Sequence, residues 1–217
     1  MRECVAFDGE KVPQWFDIRN VSDFSDHEEL QAVGLRESVA SIRRILANEA
    51  TTLRGQWDRI ILAGISQGAA TSVHTLLNLD IPNENGGPVM RKLGAFLGFS
   101  CRLPFPGRSL SETQNVLALE GVPKNDEVLR NTPILLEHCV DDPLVLVANG
   151  KELRDTLRSF GARVTWKEYP NGGHWFNSPA GIDDAVDFLN HHVLATTSAG
   201  ENSSNLGSEQ SSSMDLS

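Results

Sequence analysis

The most informative segment of this sequence is Arg59-Ile60-Ile61-Leu62-Ala63-Gly64-Ile65-Ser66-Gln67-Gly68. Its unbroken apolar run predicts a buried strand, and the helix-compatible residues 69–79 follow. Between strand and helix stands Gly-x-Ser-x-Gly, the pattern of a nucleophile elbow, which presents a serine hydroxyl above the edge of a parallel sheet. Glycines are expected at 64 and 68 because side chains there would collide with neighbouring backbone. The segment therefore predicts Ser66 as a nucleophile, although an ordinary turn would show the same letters.

An acid and a histidine follow the serine in the order that such an elbow requires. Asp142 comes just after a predicted strand at residues 133–138, and His174 ends a glycine-rich loop after a second one at 164–169. Singly, Asp142 could initiate a turn before Pro143, and His174 could be a solvated loop residue. Because the carboxyl ends of parallel strands meet at one edge of a sheet, we expect the three side chains to lie together. This arrangement predicts serine, histidine and aspartate acting in series.

Several segments resemble the acyl-protein thioesterases, also called the phospholipase/carboxylesterase family of α/β hydrolases. The resemblance covers residues 10–194 and implies an α/β-hydrolase fold with esterase or thioesterase activity. It also assigns the acid to Asp142 rather than Asp141. The matching segments are Val-Pro-Gln-Trp-Phe-Asp-Ile at 12–18, the elbow at 59–68, Phe-Ser-Cys-Arg-Leu-Pro at 99–104, His-Cys-Val-Asp-Asp-Pro-Leu-Val at 138–145, and Gly173-His174.

The sequence departs from the family pattern in ways that bear on catalysis. Ala69 replaces the second glycine after the elbow, and Cys139 replaces the glycine of His-Gly-x-x-Asp. The family's His-Gly-x-Gly-Asp segment, which supplies half of the oxyanion hole, is missing. The resemblance therefore implies an N-terminally truncated hydrolase that lacks the first strands and keeps one oxyanion donor, the backbone N–H of Gln67. Loss of one donor costs about 100- to 1000-fold in turnover, and we expect poor solubility from the uncovered apolar edge at residues 60–62.

Composition favours one globular domain without nucleic-acid or metal chemistry. The 217 residues are 40% hydrophobic and carry a formal net charge of −10, which disfavours nucleic acid and anionic lipid as partners. The sequence contains no apolar run of about 18 residues, so no transmembrane segment is predicted. The N-terminus has no apolar signal core. The three cysteines are odd in number and widely spaced, which predicts free thiols in a cytoplasmic compartment; they are Cys4, Cys101 and Cys139. The alternative is that Cys139, and not Ser66, is the nucleophile. We expect a domain at 1–195, a disordered tail at 196–217, and no metal or cofactor.

Strands alternating with helices predict an α/β fold, a parallel sheet flanked by helices on both faces. The predicted strands are residues 60–64, 93–99, 133–138 and 164–169. One helix is expected from a capping box at Ser25 to about Arg54, another from Asn149 to Gly161, and the last from Ser178 to near Leu194. Residues 80–91 predict a loop. The turn-rich residues 102–131 predict either a loop that shapes the substrate cleft or a disordered insertion.

Two classes of function compete on the sequence alone. The first is a serine hydrolase that cleaves acyl thioesters or carboxylic esters, with S-acylated proteins among its candidate substrates. In that reading Trp15, Phe16 and Leu103 are candidate walls of an apolar acyl channel, although each could equally be a plain core residue. The second is a truncated remnant with impaired catalysis. A dienelactone-hydrolase-like or peptidase-like enzyme on the same scaffold is a further alternative. The sequence does not specify acyl-chain length or oligomeric state.

Overall fold

The structure, a computed structural model, describes residues 1–83 and 90–194. The predicted tail at 196–217 and the centre of the predicted loop at 80–91 lie outside the described residues. The described chain forms a four-stranded parallel sheet preceded by a small antiparallel hairpin. The hairpin consists of β1 (Arg2–Cys4) and β2 (Glu10–Val12). Its strands are three residues long and mostly charged, so they carry no alternating apolar pattern that a sequence reading could detect.

The parallel sheet has the order β3-β4-β5-β6. Its strands are β3 (Ile61–Ile65), β4 (Ala95–Phe99), β5 (Ile134–Cys139) and β6 (Val164–Tyr169). All four correspond to predicted strands, with bounds displaced by two residues or fewer. Every pairing is parallel, with Ile61 beside Ala95, Phe96 beside Ile134, and Ile134 beside Val164. The carboxyl ends of the four strands therefore form one edge of the sheet.

Within the described residues, six α-helices connect or cover these strands. They are α1 (Leu30–Thr52), α2 (Ser66–Leu77), α3 (Leu110–Asn115), α4 (Glu127–Asn131), α5 (Val147–Ser159) and α6 (Ala180–Leu189). The sheet separates two apolar clusters. The larger lies between one face and the helices α1, α2 and α5, and the smaller packs α6 against the other face. Coverage of both faces was predicted from the alternation of strands and helices, and is confirmed.

The predicted start of α1 at a Ser25 capping box is wrong. The helix begins at Leu30, and Glu29 at its N-cap makes no side-chain cap hydrogen bond. The Ser25 backbone N–H and hydroxyl instead donate to the Asp23 carboxylate, at 3.0 and 2.6 Å. A short polar side chain that bonds to nearby backbone stabilises a turn in competition with the helix. A capping box does exist in the chain, between Ser109 and Glu112 at the start of α3.

Residues 102–131 are an ordered part of the core, so the disordered-insertion alternative is wrong. This segment contains α3 and α4, and its side chains Leu117 and Leu129 are buried in the larger cluster. Gln114 donates to the Leu77 carbonyl oxygen at 2.7 Å, which ties α3 to the end of α2. Helices of six and five residues complete fewer than two turns, so they leave no periodic apolar pattern in a turn-rich sequence.

The elbow strand β3 lies at the edge of the sheet, as predicted, because it pairs with β4 alone among the described strands. The side chains alternate along this strand. Ile60 and Leu62 are 7% and 8% exposed and belong to the larger cluster, whereas Ile61 is 41% exposed. The uncovered apolar surface at residues 60–62 is therefore one isoleucine and not the three-residue patch that the sequence suggested.

Glu137 is a buried acid within the sheet, beneath α6. It is 4% exposed, and neither carboxylate oxygen has a hydrogen-bond partner among the described residues. Burial raises the pKa of Glu137 to about 7, and the nearby Asp184 charge adds to this, while Tyr169 and Lys167 only partly offset it. The folded chain therefore binds a proton at Glu137 that the unfolded chain releases near pH 4.5. The contribution of protonated Glu137 to the free energy of unfolding is fully present below pH 4.5, and it is lost as the pH rises through about 7.

Replacing Glu137 with glutamine is expected to raise the free energy of unfolding at pH 8 by about 1–3 kcal/mol, because an uncompensated buried carboxylate is removed. The variant should also lose the part of the pH dependence between 4.5 and 7 that this group causes. Urea unfolding at pH 5 and pH 8 measures both effects. Glu10→Gln, at an exposed position on β2, is the control and should leave the wild-type slope intact. An unchanged slope in Glu137→Gln would refute the assignment.

Candidate active site

The elbow is the point where β3 passes directly into α2. The strand ends at Ile65, the helix begins at Ser66, and Ser66 has a positive φ of 53°. A left-handed conformation is strained for a non-glycine residue and is typical of functional turns. A Cβ on Gly64 would lie 2.7 Å from the Ala69 backbone nitrogen, so the predicted steric need for glycine is confirmed there. At Gly68 the neighbour is different from the one expected: the Trp15 indole, at 3.2 Å, rather than backbone.

His174 contacts both of the other side chains that the sequence pointed to. Its Nε2 lies 2.8 Å from the Ser66 Oγ, and its Nδ1 lies 2.9 Å from the Asp142 Oδ2. The loop that follows β6 carries His174, and the loop that follows β5 carries Asp142. The structure thus places the three predicted residues in one hydrogen-bonded chain at the carboxyl edge of the sheet. Ser66 and His174 are 108 residues apart in the sequence.

The Asp142 carboxylate is held in a fixed orientation. Its side chain is 0% exposed, compared with 19% for His174. Oδ1 accepts hydrogen bonds from the backbone N–H groups of Leu144 and Val145, at 2.9 and 3.0 Å. His138 also lies beside this carboxylate, with Nε2 3.4 Å from Oδ2 and 2.7 Å from the Val145 carbonyl oxygen. Burial lowers the pKa of His138, which favours a neutral ring that donates to this carbonyl.

Asp141 has a different task from its neighbour. Its Oδ1 accepts from the Gly173 N–H at 2.8 Å, and its Oδ2 accepts from the Gly172 N–H at 3.3 Å. Gly172 has a φ of 136° and Gly173 a φ of 64°. Because both values are positive, this loop favours residues without a side chain. Asp141 therefore fixes the backbone that carries His174, while Asp142 contacts the imidazole itself. Sequence reasoning did not assign this contact.

Cys139 is not suited to act as the nucleophile. Its side chain is buried, its Sγ lies 3.8 Å from the Trp175 carbonyl oxygen, and no histidine is bonded to it among the described residues. Burial raises the pKa of the Cys139 thiol, and the carboxylates of Asp141 and Asp142 act in the same direction. The thiol is thus kept protonated. All three cysteines are free, as predicted, and the structure adds that all three are buried.

The side chain of Gln67 joins the elbow to the N-terminal loop. Its Oε1 accepts from the Trp15 N–H at 2.8 Å, and its Nε2 donates to the Phe16 carbonyl oxygen at 2.8 Å. The backbone N–H of Gln67 belongs to the first turn of α2, where N–H groups have no partner inside the helix. The same residue therefore places a loop with its side chain and leaves its main-chain donor beside Ser66.

The described residues line two neighbouring cavities at this end of the sheet. The inner one, of 40 Å³, is lined by Ser66, Gln67 and Arg102 together with apolar side chains, namely Phe16, Ile18, Phe24, Ala70 and Val145. The outer one has a volume of 320 Å³ and shares Phe24 and Arg102 with the inner one. The two cavities therefore adjoin at these two side chains.

The predicted channel residues occupy three different places. Phe16 is fully buried and lines the inner cavity, Leu103 is 4% exposed and lines the outer one, and Trp15 is 45% exposed and lines neither. Sequence reasoning did not identify Phe24 or Arg102. The segment Phe-Ser-Cys-Arg-Leu-Pro contained a signal, an arginine between two apolar positions, but its burial depends on partners elsewhere in the chain.

Neither a metal cluster nor a membrane span is found in the part of the chain that the structure describes. Residues 1–83 and 90–194 contain no group of three or more histidine, cysteine, aspartate or glutamate side chains placed to hold a metal ion. None of the helices in these residues has the length and apolar character needed to cross a bilayer.

The parallel sheet, the elbow and the order of the loops define an α/β hydrolase. A family model for phospholipase/carboxylesterase matches residues 2–193. The chain belongs to the phospholipase/carboxylesterase family, and it is a serine hydrolase of the carboxylesterase and acyl-protein thioesterase type.

Curated relatives and solved structures agree with this assignment. The chain is 31% identical over 189 residues to acyl-protein thioesterase 1 of Aspergillus fumigatus, covering 83% of this chain and 68% of that protein. It is 29% identical over 185 residues to acyl-protein thioesterase 1 of Gibberella zeae, with the same coverage of 83% and 68%. Among solved structures, acyl-protein thioesterase 2 of Zea mays superimposes with a TM-score of 0.65 at 25% identity, covering 88% of this chain and 78% of that one. Arabidopsis thaliana SOBER1 has the same fold, with a TM-score of 0.64.

Proposed function

We propose that this protein hydrolyses acyl thioesters or carboxylic esters with Ser66 as nucleophile, His174 as general base and Asp142 as the acid that orients it. The observation that carries the proposal is the unbroken chain of contacts, with 2.8 Å between Ser66 Oγ and His174 Nε2 and 2.9 Å between His174 Nδ1 and Asp142 Oδ2. A serine hydroxyl becomes a competent nucleophile when an adjacent base can accept its proton, and this geometry supplies one.

In the proposed reaction, Ser66 Oγ attacks the acyl carbonyl carbon while His174 Nε2 accepts the hydroxyl proton. Asp142 holds Nδ1–H and stabilises the imidazolium that forms. The oxyanion is stabilised by the backbone N–H of Gln67, at the positive end of α2. Collapse of the intermediate breaks the C–S or C–O bond, and His174 returns the proton to the departing sulfur or oxygen. Water, deprotonated by His174, then attacks the acyl-enzyme and releases a carboxylate.

The substrate class is supported by the names of the relatives, which are acyl-protein thioesterases and a carboxylesterase. We infer from them that an S-acylated protein is the physiological partner of this chain. The leaving thiol of such a substrate belongs to a whole protein, which stays in solvent. Only the acyl group enters the cavity beside Ser66. Three buried free thiols are consistent with a reducing compartment, and we propose a cytoplasmic location.

A fluorophosphonate probe tests the proposal directly. This reagent phosphonylates an activated serine, so it is expected to label Ser66 in the folded protein, with the adduct located by peptide mass spectrometry. Ser66→Ala should show no labelling, while Ser109→Ala, at a serine whose hydroxyl caps α3 and bonds to Glu112, should be labelled like wild type. A folded wild-type sample without label, or a label on another residue, would contradict the proposal. A panel of acyl thioesters, carboxylic esters and peptides then separates thioesterase, esterase and peptidase activity.

A further inference from the structure

Arg102 places a positive charge in the cavity that contains the proposed nucleophile. It stands three residues after β4, is 7% exposed, and lines the inner cavity together with Ser66 and Gln67. Among the described residues that line this cavity, Arg102 alone carries a charge. A buried guanidinium does not favour binding of a purely apolar acyl chain, and desolvating its charge costs free energy.

The immediate surroundings of the guanidinium are aromatic and neutral. It lies 4.0 Å from the centre of the Phe24 ring and 5.9 Å from that of Phe16, and it donates to the Gln31 side-chain oxygen at 2.8 Å. The ion pairs among the described residues do not include Arg102. The charge of Glu28 acts on it, but that carboxylate is bonded to Arg108, at 2.8 Å.

A guanidinium has five N–H donors in a planar fork that matches a carboxylate. Phe24 covers one face of the guanidinium, Gln31 accepts from Nη2, and Arg102 lines both cavities. Burial lowers the pKa of Arg102 only to about 10, which leaves the group a cation at neutral pH. A buried cation without a bonded counterion is costly to the fold, and an anionic group on a ligand would compensate its charge.

The two cavities differ in how they would receive an anion. Asp23, Glu28 and Glu152 line the outer cavity, and their charges repel one there. The inner cavity has no carboxylate among its described lining residues, and its other walls are the apolar side chains that methylene groups prefer. With a volume of 40 Å³, it admits a short segment between Ser66 and the guanidinium.

Building on the proposed hydrolase function, we infer that the substrate is an ester or thioester whose acyl chain carries a carboxylate, which Arg102 binds while Ser66 attacks the carbonyl. Water is the only co-reactant: it adds across the acyl C–S or C–O bond and yields a dicarboxylate together with the thiol or alcohol. The guanidinium selects the substrate and takes no part in proton transfer.

The test compares two N-acetylcysteamine thioesters of equal chain length, one of hexanedioic acid and one of hexanoic acid. Wild type is expected to have a kcat/KM about 10- to 100-fold higher for the hexanedioyl thioester, the discrimination that a hydrogen-bonded charge provides. Arg102→Met removes the charge and should abolish this preference while increasing kcat/KM for the hexanoyl thioester. Its activity on the hexanoyl thioester also reports that the variant is folded.

Arg154→Met is the matched control, because Arg154 also stacks on an aromatic ring, 5.4 Å from the centre of the Trp166 ring, but lines neither cavity and is not bonded to Glu28. It should keep the wild-type preference. Equal kcat/KM for the two thioesters in wild type would overturn the inference, as would a preference that persists in Arg102→Met.

Calorimetric binding of the methyl ketone analogues of the two acyl groups separates this inference from the proposed function. These ketones are not hydrolysed, so their affinity does not depend on turnover. Tighter binding of the anionic ketone that is lost in Arg102→Met supports the anion site even if no thioester is cleaved, in which case the hydrolase proposal alone fails. Cleavage of both thioesters without discrimination, and equal affinity for both ketones, would leave the hydrolase proposal standing and refute the anion site.

Discussion

Replacing His174 with alanine is expected to lower kcat by about a million-fold. Without the imidazole no group accepts the Ser66 proton at 2.8 Å, and in a serine hydrolase loss of the base costs nearly as much as loss of all three catalytic groups. A residual acceleration of about 10³- to 10⁴-fold over water should remain, from binding and the oxyanion donor. Steady-state hydrolysis of a p-nitrophenyl ester measures the loss.

The fold should survive this change. The His174 side chain lies on a glycine loop and is 19% exposed, and Asp142 keeps two backbone N–H partners without it. Far-ultraviolet circular dichroism and thermal unfolding check that the variant is native. Ser66→Ala is the companion variant, and the double substitution should be no worse than either single one, because the residues act as a unit. Activity close to wild type in His174→Ala would remove this residue from the mechanism.

Replacing Asp142 with asparagine is expected to lower kcat by about 10⁴-fold. The amide keeps the shape of the side chain but offers an N–H to His174 Nδ1, which stabilises the tautomer that cannot accept the Ser66 proton. Because Asp142 Oδ1 also accepts two backbone N–H groups, the oxygen of the amide is expected to stay on that side, leaving its nitrogen toward the imidazole. Steady-state kinetics on the same ester measures the change.

Asp141→Asn is the matched control, since it makes the same chemical change one residue earlier. Asparagine at 141 can still accept one of the two N–H groups of the glycine loop, so the loop loosens without losing its base. We expect kcat to fall by about tenfold through misplacement of His174. The contacts of Asp141 with the N–H groups of Gly172 and Gly173 are the structural cause of this moderate loss. A larger loss in Asp141→Asn than in Asp142→Asn would reverse the assignment of the two aspartates.

The sequence predicted β3, β4 and β5 from their runs of apolar residues and β6 from its strand composition, and both are local properties. It predicted the elbow because the tight turn from β3 into α2 leaves room for glycine alone at position 64. It ordered the serine, acid and histidine because parallel strands bring their carboxyl ends to one edge. The choice of Asp142 over Asp141 came from the family resemblance, since both aspartates follow the same strand. Each of these features depends on short segments or on a general rule of sheet geometry.

The tertiary structure decided the features that depend on distant partners. The start of α1 was set by a polar turn at Asp23, which competed with the expected cap. Residues 102–131 became part of the core because short helices there pack on α2. Arg102 is buried because Gln31, 71 residues away, and the Phe24 ring receive it. Burial of a charged side chain is the sum of contacts with residues that only the folded chain brings together, so no local pattern of the sequence encodes it.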